Sequence, residues 1–224
     1  MTSPSFPRIV GVVFTRADLQ RAVRMRKPPD LFELRLDALF PRNDELSDVI
    51  GKFPAPLIIT ARHPREGGAN HLSTQKRRVL LRRFLRYAAW VDVELRSARA
   101  FAEILQEARA KNIRTIVSFH DFDETPTRSG LEEIARAAQS LGADFLKIAT
   151  RTDTPAQMAR LLDFFQRQRT RTRIAVMGIG RLGRISRLEL ARRGSMLNYA
   201  HLGKAQADGQ LSIIQLRRVL SRKP

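Results

Sequence analysis

The chain has 224 residues, of which 43% are hydrophobic, and this size suits one α/β domain with a substantial core. Its formal net charge is +19, and because it contains no cysteine, a disulfide framework and a thiolate metal site are excluded. No stretch has the pattern of a signal peptide or the run of about 18 apolar residues that a membrane span needs, so we expect a cytoplasmic protein.

Strand-like and helix-like segments alternate along the chain, judged by short apolar runs and by apolar residues at helical spacing. The predicted strands cover residues 8–14, 31–36, 56–61, 90–95, 113–119, 145–149, 173–177 and 196–202. The predicted helices cover residues 16–25, 43–50, 73–88, 98–111, 131–141, 155–168, 185–193 and 213–220. Ser73 and the pair Thr154-Pro155 are typical of helix starts, since a hydroxyl caps the first turn and proline fits its first position.

The eight alternating strand–helix units predict a parallel sheet, because parallel neighbours are joined by a helical crossover. Eight such units without a linker predict a closed (β/α)8 TIM barrel. We expect residues 1–224 to form a single domain of this kind, and a doubly wound open sheet is the alternative.

Charged side chains stand at the C-terminal ends of the predicted strands, where the active site of a barrel forms. The period of two places Glu33, Arg35 and Asp37 on one face of the second strand. Further ionisable or small residues are Arg62 and Glu66 after the third strand, Asp92 and Glu94 on the fourth, His120 on the fifth, Lys147 on the sixth, and Met177 and Gly178 on the seventh. Charges that point into a barrel must pair or bind a ligand, so this end is the predicted site.

Lys147 is the only charged residue of the sixth predicted strand. Burial disfavours the ammonium form, and a neutral amine can attack a carbonyl carbon to form a Schiff base. For this strand alone, the alternative is a lysine that extends from the strand end to solvent. His120 on the preceding strand supplies a candidate acid–base partner, and the pair favours imine catalysis.

The run Gly178-Ile179-Gly180-Arg181-Leu182-Gly183 has the glycine spacing of dinucleotide-binding loops. We reject that function, because an acidic residue should end a strand about 20 residues later, and Asn198 stands there. The backbone N–H groups of this turn, together with Arg187, form a candidate anion site. The alternative is that this glycine-rich turn only ends the strand and binds no anion.

The excess of positive charge raises the question of a nucleic-acid partner. Lysine accounts for seven of the 41 basic residues, and the remainder are arginines spread over several predicted helices. Aromatic residues make up 7% of the chain and do not alternate with basic ones, as they would on a surface that stacks bases. We therefore expect a solvated basic surface with nonspecific electrostatic contact to nucleic acid at most.

In their order and spacing, the motifs resemble those of type I 3-dehydroquinate dehydratases over nearly the whole chain, from Ile9 to Gln210. The matching segments are Glu33-Leu34-Arg35-Leu36-Asp37, Thr60-Ala61-Arg62, Glu66-Gly67-Gly68, Val91-Asp92-Val93-Glu94, Ser118-Phe119-His120-Asp121-Phe122, residues 143–149, Met177-Gly178, Ser186-Arg187 and residues 194–210. The resemblance implies a (β/α)8 barrel that uses no metal or cofactor and acts on 3-dehydroquinate in the shikimate pathway. A homodimer is the common state that it implies.

The resemblance also implies a role for each matching side chain. By this resemblance, Lys147 forms an imine with the C3 ketone, His120 takes the C2 proton and helps the C1 hydroxyl to leave as water, and Glu66 orients His120. The residues implied to bind substrate are Glu33, Arg35 and Arg62 at its hydroxyls, Arg187 at its carboxylate, and Met177, Tyr199, Gln206 and Gln210 around it.

The last loop departs from the family pattern. Relatives usually have Ser-Ala-Pro-Gly-Gln where this chain has Gln206-Ala207-Asp208-Gly209-Gln210, so a serine that contacts substrate is replaced. Because an inward Asp208 would oppose an anionic substrate, we expect intact imine chemistry with altered loop closure and affinity. Two alternatives remain: another Schiff-base lyase or aldolase with a changed substrate, and a weakly active barrel whose basic surface binds nucleic acid.

Overall fold

A parallel sheet of nine strands curls round the centre of the protein in the computed structural model, which describes residues 7–40 and 43–221. The strands are β1 (Arg8–Val13), β2 (Leu31–Arg35), β3 (Leu57–Thr60), β4 (Trp90–Glu94), β5 (Arg114–Asp121), β6 (Phe145–Arg151), β7 (Ile174–Ile179), β8 (Leu197–His201) and β9 (Leu211–Ser212). Strands β1 to β7 are neighbours in chain order, and β8 pairs with the free edge of β1. Apolar side chains from β1 to β8 pack in one interior cluster, so the predicted α/β fold with a parallel barrel is confirmed.

Helices follow most of the strands and pack on the outside of the barrel. In the described part of the chain they are α1 (Arg16–Val23), α2 (Leu36–Leu39), α3 (Asn43–Val49), α4 (Thr74–Leu85), α5 (Ala102–Ala110), α6 (Arg128–Ser140), α7 (Pro155–Gln168), α8 (Gly183–Arg192) and α9 (Ile213–Leu220). Ser73 caps α4 and Thr154 caps α7, as predicted. α6 begins at Arg128 rather than residue 131, because Thr127 caps it. None of the helices in these ranges is long and apolar enough to cross a membrane.

The pattern of the sequence does not predict α2 or β9. α2 begins directly after β2, because the backbone of Arg35 leaves the extended conformation (ψ 82°) and the chain turns into a helix at Leu36. This turn removes Asp37 from the strand. The prediction that Asp37 shares a strand face with Glu33 and Arg35 is therefore wrong. β9 adds Leu211 and Ser212 to the edge of β8.

The barrel interior changes character along the strands. At the N-terminal end, the rings of Trp90 and Phe145 lie 4.5 Å apart between centroids and fill the interior. Two residues further along the same strands stand Asp92 and Lys147, both buried. Since residues two apart share a strand face, an apolar layer gives way to a charged layer within one repeat of each strand.

Between β7 and β8, in the part of the chain that the structure describes, the barrel closes without the strand pairing that joins its other neighbouring strands, and we call this place the seam. No ladder joins these two strands in the described residues, where one backbone hydrogen bond crosses the gap. Side chains cap the polar groups along β7 instead: Val176 N donates to Ser195 Oγ at 3.1 Å, and Arg187 Nε donates to Gly178 O at 2.9 Å. The seam thus satisfies backbone groups that an interior strand would satisfy with a neighbour.

Candidate active site

A pocket of about 160 Å³ opens at the C-terminal end of the barrel. The eleven residues to which the resemblance assigns a role all line it: Glu33, Arg35, Arg62, Glu66, His120, Lys147, Met177, Arg187, Tyr199, Gln206 and Gln210. Asp92, Glu94 and Gly178, which the pattern of strand ends also predicts here, do not line it. Two aromatic residues that the sequence analysis missed, Phe14 and Phe122, also form its wall. Each directly follows a strand, so their position at strand ends was the signal that would have identified them.

Lys147 lies at the base of the pocket with 3% of its surface exposed. Its Nζ is 3.0 Å from Asp92 Oδ2 and 3.2 Å from Glu33 Oε1. The lysine is therefore not a lone charge in an apolar strand, because two buried carboxylates compensate the ammonium. Those carboxylates are also the nearest acceptors for a proton that leaves it.

The ring of Tyr199 lies beneath the same ammonium, with Nζ 3.9 Å from the ring centroid. Its hydroxyl is buried and has no hydrogen-bond partner among the described residues. Burial, followed by the charges of Glu33 and Asp92, raises the pKa of Tyr199 well above its ordinary value. Tyr199 is thus a neutral phenol whose ring, through a cation–π contact, holds the lysine in place.

Arg62 connects the charged layer across three strands. Its guanidinium binds Asp92 through both carboxylate oxygens, at 3.2 and 3.0 Å, and Ser118 Oγ at 2.6 Å. Burial works to raise the pKa of Asp92, but the charges of Arg62 and Lys147 hold it well below its ordinary value. Asp92 therefore remains a carboxylate between two cations, and it fixes the distance between Lys147 and Arg62.

His120 lies on β5, next to the strand that carries Lys147. In the register of β5 and β6, Ser118 is opposite Lys147, so His120 stands two residues closer to the C-terminal end. Its Nδ1 is 3.0 Å from Glu66 Oε2, and the same oxygen accepts its backbone N–H at 3.0 Å. Arg62 Nη1 also lies 3.3 Å from this Nδ1. We assign the ring proton to Nδ1, because the carboxylate at 3.0 Å is the nearer partner and accepts it there, and this leaves Nε2 as the basic nitrogen.

The protonation states of His120 and Glu66 follow from their burial. Burial, then the charges of Arg62 and Lys147, lowers the pKa of His120 well below its ordinary value, so the imidazole is neutral. Burial raises the pKa of Glu66 to about 7, against the opposing charge of Arg62. The pair therefore holds a neutral base beside a carboxylate that gains its proton close to neutral pH.

Asp37 anchors the loop that follows β3, outside the pocket lining. It is fully buried, binds Arg35 through two hydrogen bonds of 3.0 and 2.8 Å, and accepts the backbone N–H groups of Arg62 and Ala69. Arg35 Nη2 also donates to Gly67 O at 2.9 Å. Asp37 thus orients Arg35 and the segment that carries Glu66, while Arg35 itself faces the pocket.

Arg187 is a buried cation without a carboxylate partner among the described residues; 8% of its surface is exposed. Burial lowers its pKa to about 10, so the guanidinium stays charged at neutral pH. Its Nε donates to Gly178 O across the seam, and its side chain lines the pocket beside Met177. An uncompensated buried cation is suited to bind an anion.

The loop that differs from the family pattern closes this side of the pocket. Gln210 is nearly buried, and its Oε1 accepts the backbone N–H of Gln206 at 2.7 Å. Gln206 is exposed at the rim and donates from Nε2 to Lys204 O at 2.8 Å. Asp208 is exposed and does not line the pocket. The inward Asp208 that would oppose an anion is therefore absent from the described lining.

Comparison with known proteins identifies related sequences over nearly the full length. The sequence model of a family described as type I 3-dehydroquinase matches residues 12–223. The 3-dehydroquinate dehydratase of Thermococcus gammatolerans is 35% identical over 214 residues, which are 95% of this chain and 97% of that protein. That of Thermodesulfovibrio yellowstonii is 32% identical over 219 residues, which are 95% of this chain and 94% of that protein.

Solved structures give the same result. The type I 3-dehydroquinate dehydratase of Clostridium difficile, determined with covalently modified comenic acid, superposes with a TM-score of 0.86 at 25% identity and covers 97% of this chain and 92% of that one. The 3-dehydroquinate dehydratase of Geobacillus kaustophilus superposes with a TM-score of 0.83 at 30% identity and covers 96% and 90%.

Proposed function

This chain belongs to the type I 3-dehydroquinase family, and we propose that it dehydrates 3-dehydroquinate through an imine on Lys147 with His120 as the acid–base group. Dehydration of 3-dehydroquinate, a step of the shikimate pathway, is the activity that family membership gives. The observation that carries the proposed chemistry is the position of Lys147, buried at the base of a pocket that His120 also lines.

In the first step, Lys147 loses a proton and its amine attacks the C3 ketone. Glu33, whose Oε1 lies 3.2 Å from Nζ, is the group proposed to accept that proton, because Asp92 stays a carboxylate between Lys147 and Arg62. Glu33 then returns the proton to the former ketone oxygen. A C–N bond forms, the former ketone oxygen leaves as water, and a protonated imine remains. The protonated imine carries a positive charge, and Glu33 and Asp92 stabilise it as they stabilise the lysine ammonium.

In the second step, Nε2 of His120 takes the proton from C2. The C–H electron pair moves into the iminium, which acts as the electron sink, and an enamine forms. The enamine returns its electrons to expel the C1 hydroxyl, which leaves as water with the proton that His120 donates. Hydrolysis of the iminium then releases 3-dehydroshikimate and restores the Lys147 amine.

The remaining side chains are proposed to position the substrate. Arg187 supplies the charge for the substrate carboxylate, and Glu33, Arg35 and Arg62 supply hydrogen bonds for its hydroxyls. The residues proposed to enclose the substrate are Met177, Tyr199, Gln206 and Gln210. The effect of the changed loop on substrate affinity stays a prediction, as do a single domain over residues 1–224 and a homodimer.

Borohydride trapping tests the imine. The protein is incubated with 3-dehydroquinate and sodium borohydride, and peptide mass spectrometry is expected to place the reduced adduct on Lys147. Appearance of the enone product is followed by its ultraviolet absorbance in parallel. An adduct on another lysine contradicts the mechanism, and turnover without any adduct does so as well. Absence of both adduct and enone favours a different substrate, as in the alternative of another Schiff-base lyase or aldolase.

A further inference from the structure

Glu66 meets a cation on the side opposite His120. Only 2% of Glu66 is exposed, and its Oε2 accepts both N–H groups of His120. Its Oε1 is buried and accepts no directed hydrogen bond within the described residues. Arg96 Nε lies 2.9 Å from that oxygen, so the contact is an ion pair rather than an aligned hydrogen bond. Arg96 belongs to the short turn after β4 (Leu95–Ser97), and its side chain is 41% exposed.

The other charges that face Glu66 are already engaged. Arg62, from the segment after β3, is bound to Asp92 and Ser118 and lies 3.3 Å from His120 Nδ1, and its charge also favours the carboxylate form of Glu66. Glu94, at the end of β4, forms an ion pair with the buried Arg77, and its charge works against ionisation of Glu66. His120, from β5, is neutral. Among residues 7–40 and 43–221, Arg96 forms an ion pair with Glu66 and with no other carboxylate.

Ionisation of Glu66 decides which nitrogen of His120 carries the ring proton. A carboxylate accepts a proton from Nδ1 and leaves Nε2 free to act as a base. A protonated Glu66 instead donates to Nδ1, which moves the ring proton to Nε2. An imidazole in that tautomer cannot take the C2 proton of the substrate. Because burial favours the protonated acid, a nearby positive charge is needed to keep the site in its working form.

We propose that Arg96 is a positioning residue that extends the ionised form of Glu66 to lower pH, and through Glu66 favours the tautomer of His120 with its proton on Nδ1. The inference rests on the proposed role of His120 as the base. Arg96 does not line the pocket, so it acts through Glu66 and makes no contact with substrate. Burial raises the pKa of Glu66, and the charges of Arg62 and then Arg96 lower it, so Arg96 acts in the direction that the proposal requires.

The pH dependence of kcat/KM tests the proposal. We compare the native chain with Arg96→Gln, Arg96→Lys and the matched control Arg99→Gln between about pH 5 and pH 9, the range in which such a pair titrates. Arg99 is also exposed and lies three residues further along the same segment, so its variant removes the same charge. Arg96→Gln should move the acid limb to higher pH by about half a unit, since one partner of the ion pair is solvent-exposed. Arg96→Lys should retain most of the native profile.

Plateau rates provide the second readout. At high pH Glu66 is ionised in every variant, so kcat should agree within about twofold with the native value. Added salt should shift the acid limb of the native enzyme upward and leave Arg96→Gln nearly unchanged, because screening removes the charge that the variant lacks. An acid limb of Arg96→Gln that coincides with that of Arg99→Gln overturns the proposal.

A titration that does not depend on turnover separates this inference from the proposed function. The carboxyl carbon of Glu66 is followed by carbon-13 NMR in native protein and in Arg96→Gln, with Glu66→Gln to assign the signal. A higher midpoint in Arg96→Gln supports the ion pair even if the protein turns over no 3-dehydroquinate, in which case the proposed function alone has failed. An unchanged midpoint in an active enzyme contradicts this inference alone.

Discussion

The two ends of the barrel use the same strands for opposite purposes. At the N-terminal end, Trp90 and Phe145 pack in the interior with an angle of 51° between their rings, and Arg114 and Arg173 lie 5.1 and 5.7 Å from the two ring centroids. One strand repeat further on, the interior holds buried carboxylates and cations in contact with each other. Apolar packing at the first end stabilises the fold, while the compensated charges at the second end prepare a site for chemistry.

The surfaces of the two ends differ as well. The turns before the strands carry many exposed cations, among them Arg24, Arg26, Lys27, Lys111, Arg169, Arg171 and Arg193. The carboxylates of Asp30 and Asp144 on this side bind backbone N–H groups of Ile9 and Thr115. Among the described residues at the pocket end, Arg62, Arg96 and Lys147 are paired with carboxylates, whereas Arg187 is not. The turns before the strands thus place a group of exposed cations on the end remote from the proposed chemistry, which we call the cationic end.

Removal of the nucleophile should have the largest effect. Lys147→Ala and Lys147→Arg should each lower kcat by at least about 10⁴-fold, because neither side chain can form the imine. Lys147→Arg keeps a cation beside Glu33 and Asp92, so it should remain the more stable variant in thermal unfolding. Lys76→Ala, an exposed lysine on α4, is the control. Residual activity of Lys147→Arg near the native rate would exclude the proposed mechanism.

A change at the opposite end should affect stability and spare catalysis. Trp90→Ala removes a ring that is 3% exposed and should lower the free energy of unfolding by about 3–5 kcal/mol, measured by urea denaturation. Its kcat should stay within about twofold of the native value at a temperature where the variant is folded. Tyr87→Ala, at an exposed neighbouring position, is the control. A selective loss of kcat in folded Trp90→Ala would show that the two ends are not independent.

Loss of the acid–base group should separate binding from elimination. His120→Ala should still give the borohydride adduct on Lys147 but turn over at least about 10²-fold more slowly, the usual contribution of a positioned acid or base. His71→Asn, at an exposed loop position with a left-handed backbone, is the control. A variant that retains the native kcat would remove His120 from the mechanism.

The smallest effect should be on nucleic-acid contact. Binding to a random DNA duplex should be weak and decline steeply with salt, and the double change of Arg171 and Arg173 to Gln should reduce the slope of log K against log salt by about 1.8. The same change at Arg181 and Arg184, which lie at the pocket end, should leave the slope nearly unaltered. If both double variants reduce the slope equally, the duplex does not bind preferentially to the cationic end.

The sequence pattern predicts the barrel because the alternation of strands and helices is local, and it predicts the pocket lining because polar residues at strand ends converge in any such barrel. It fails at Asp37, where the turn into α2 depends on contacts with a loop more than 20 residues away. It also gives no sign of the pair formed by Arg96 and Glu66, which joins two segments through side-chain geometry alone. The roles assigned to the lining residues remain predictions until the variants are measured.

At the seam between β7 and β8, Arg187 both contacts the edge of β7 and lines the pocket. The guanidinium that holds the edge of β7 through Gly178 also faces the pocket as its unpaired cation. An acid bound there restrains Arg187, and with it the least cross-linked part of the wall. We therefore expect occupancy of the pocket to stiffen this side of the barrel.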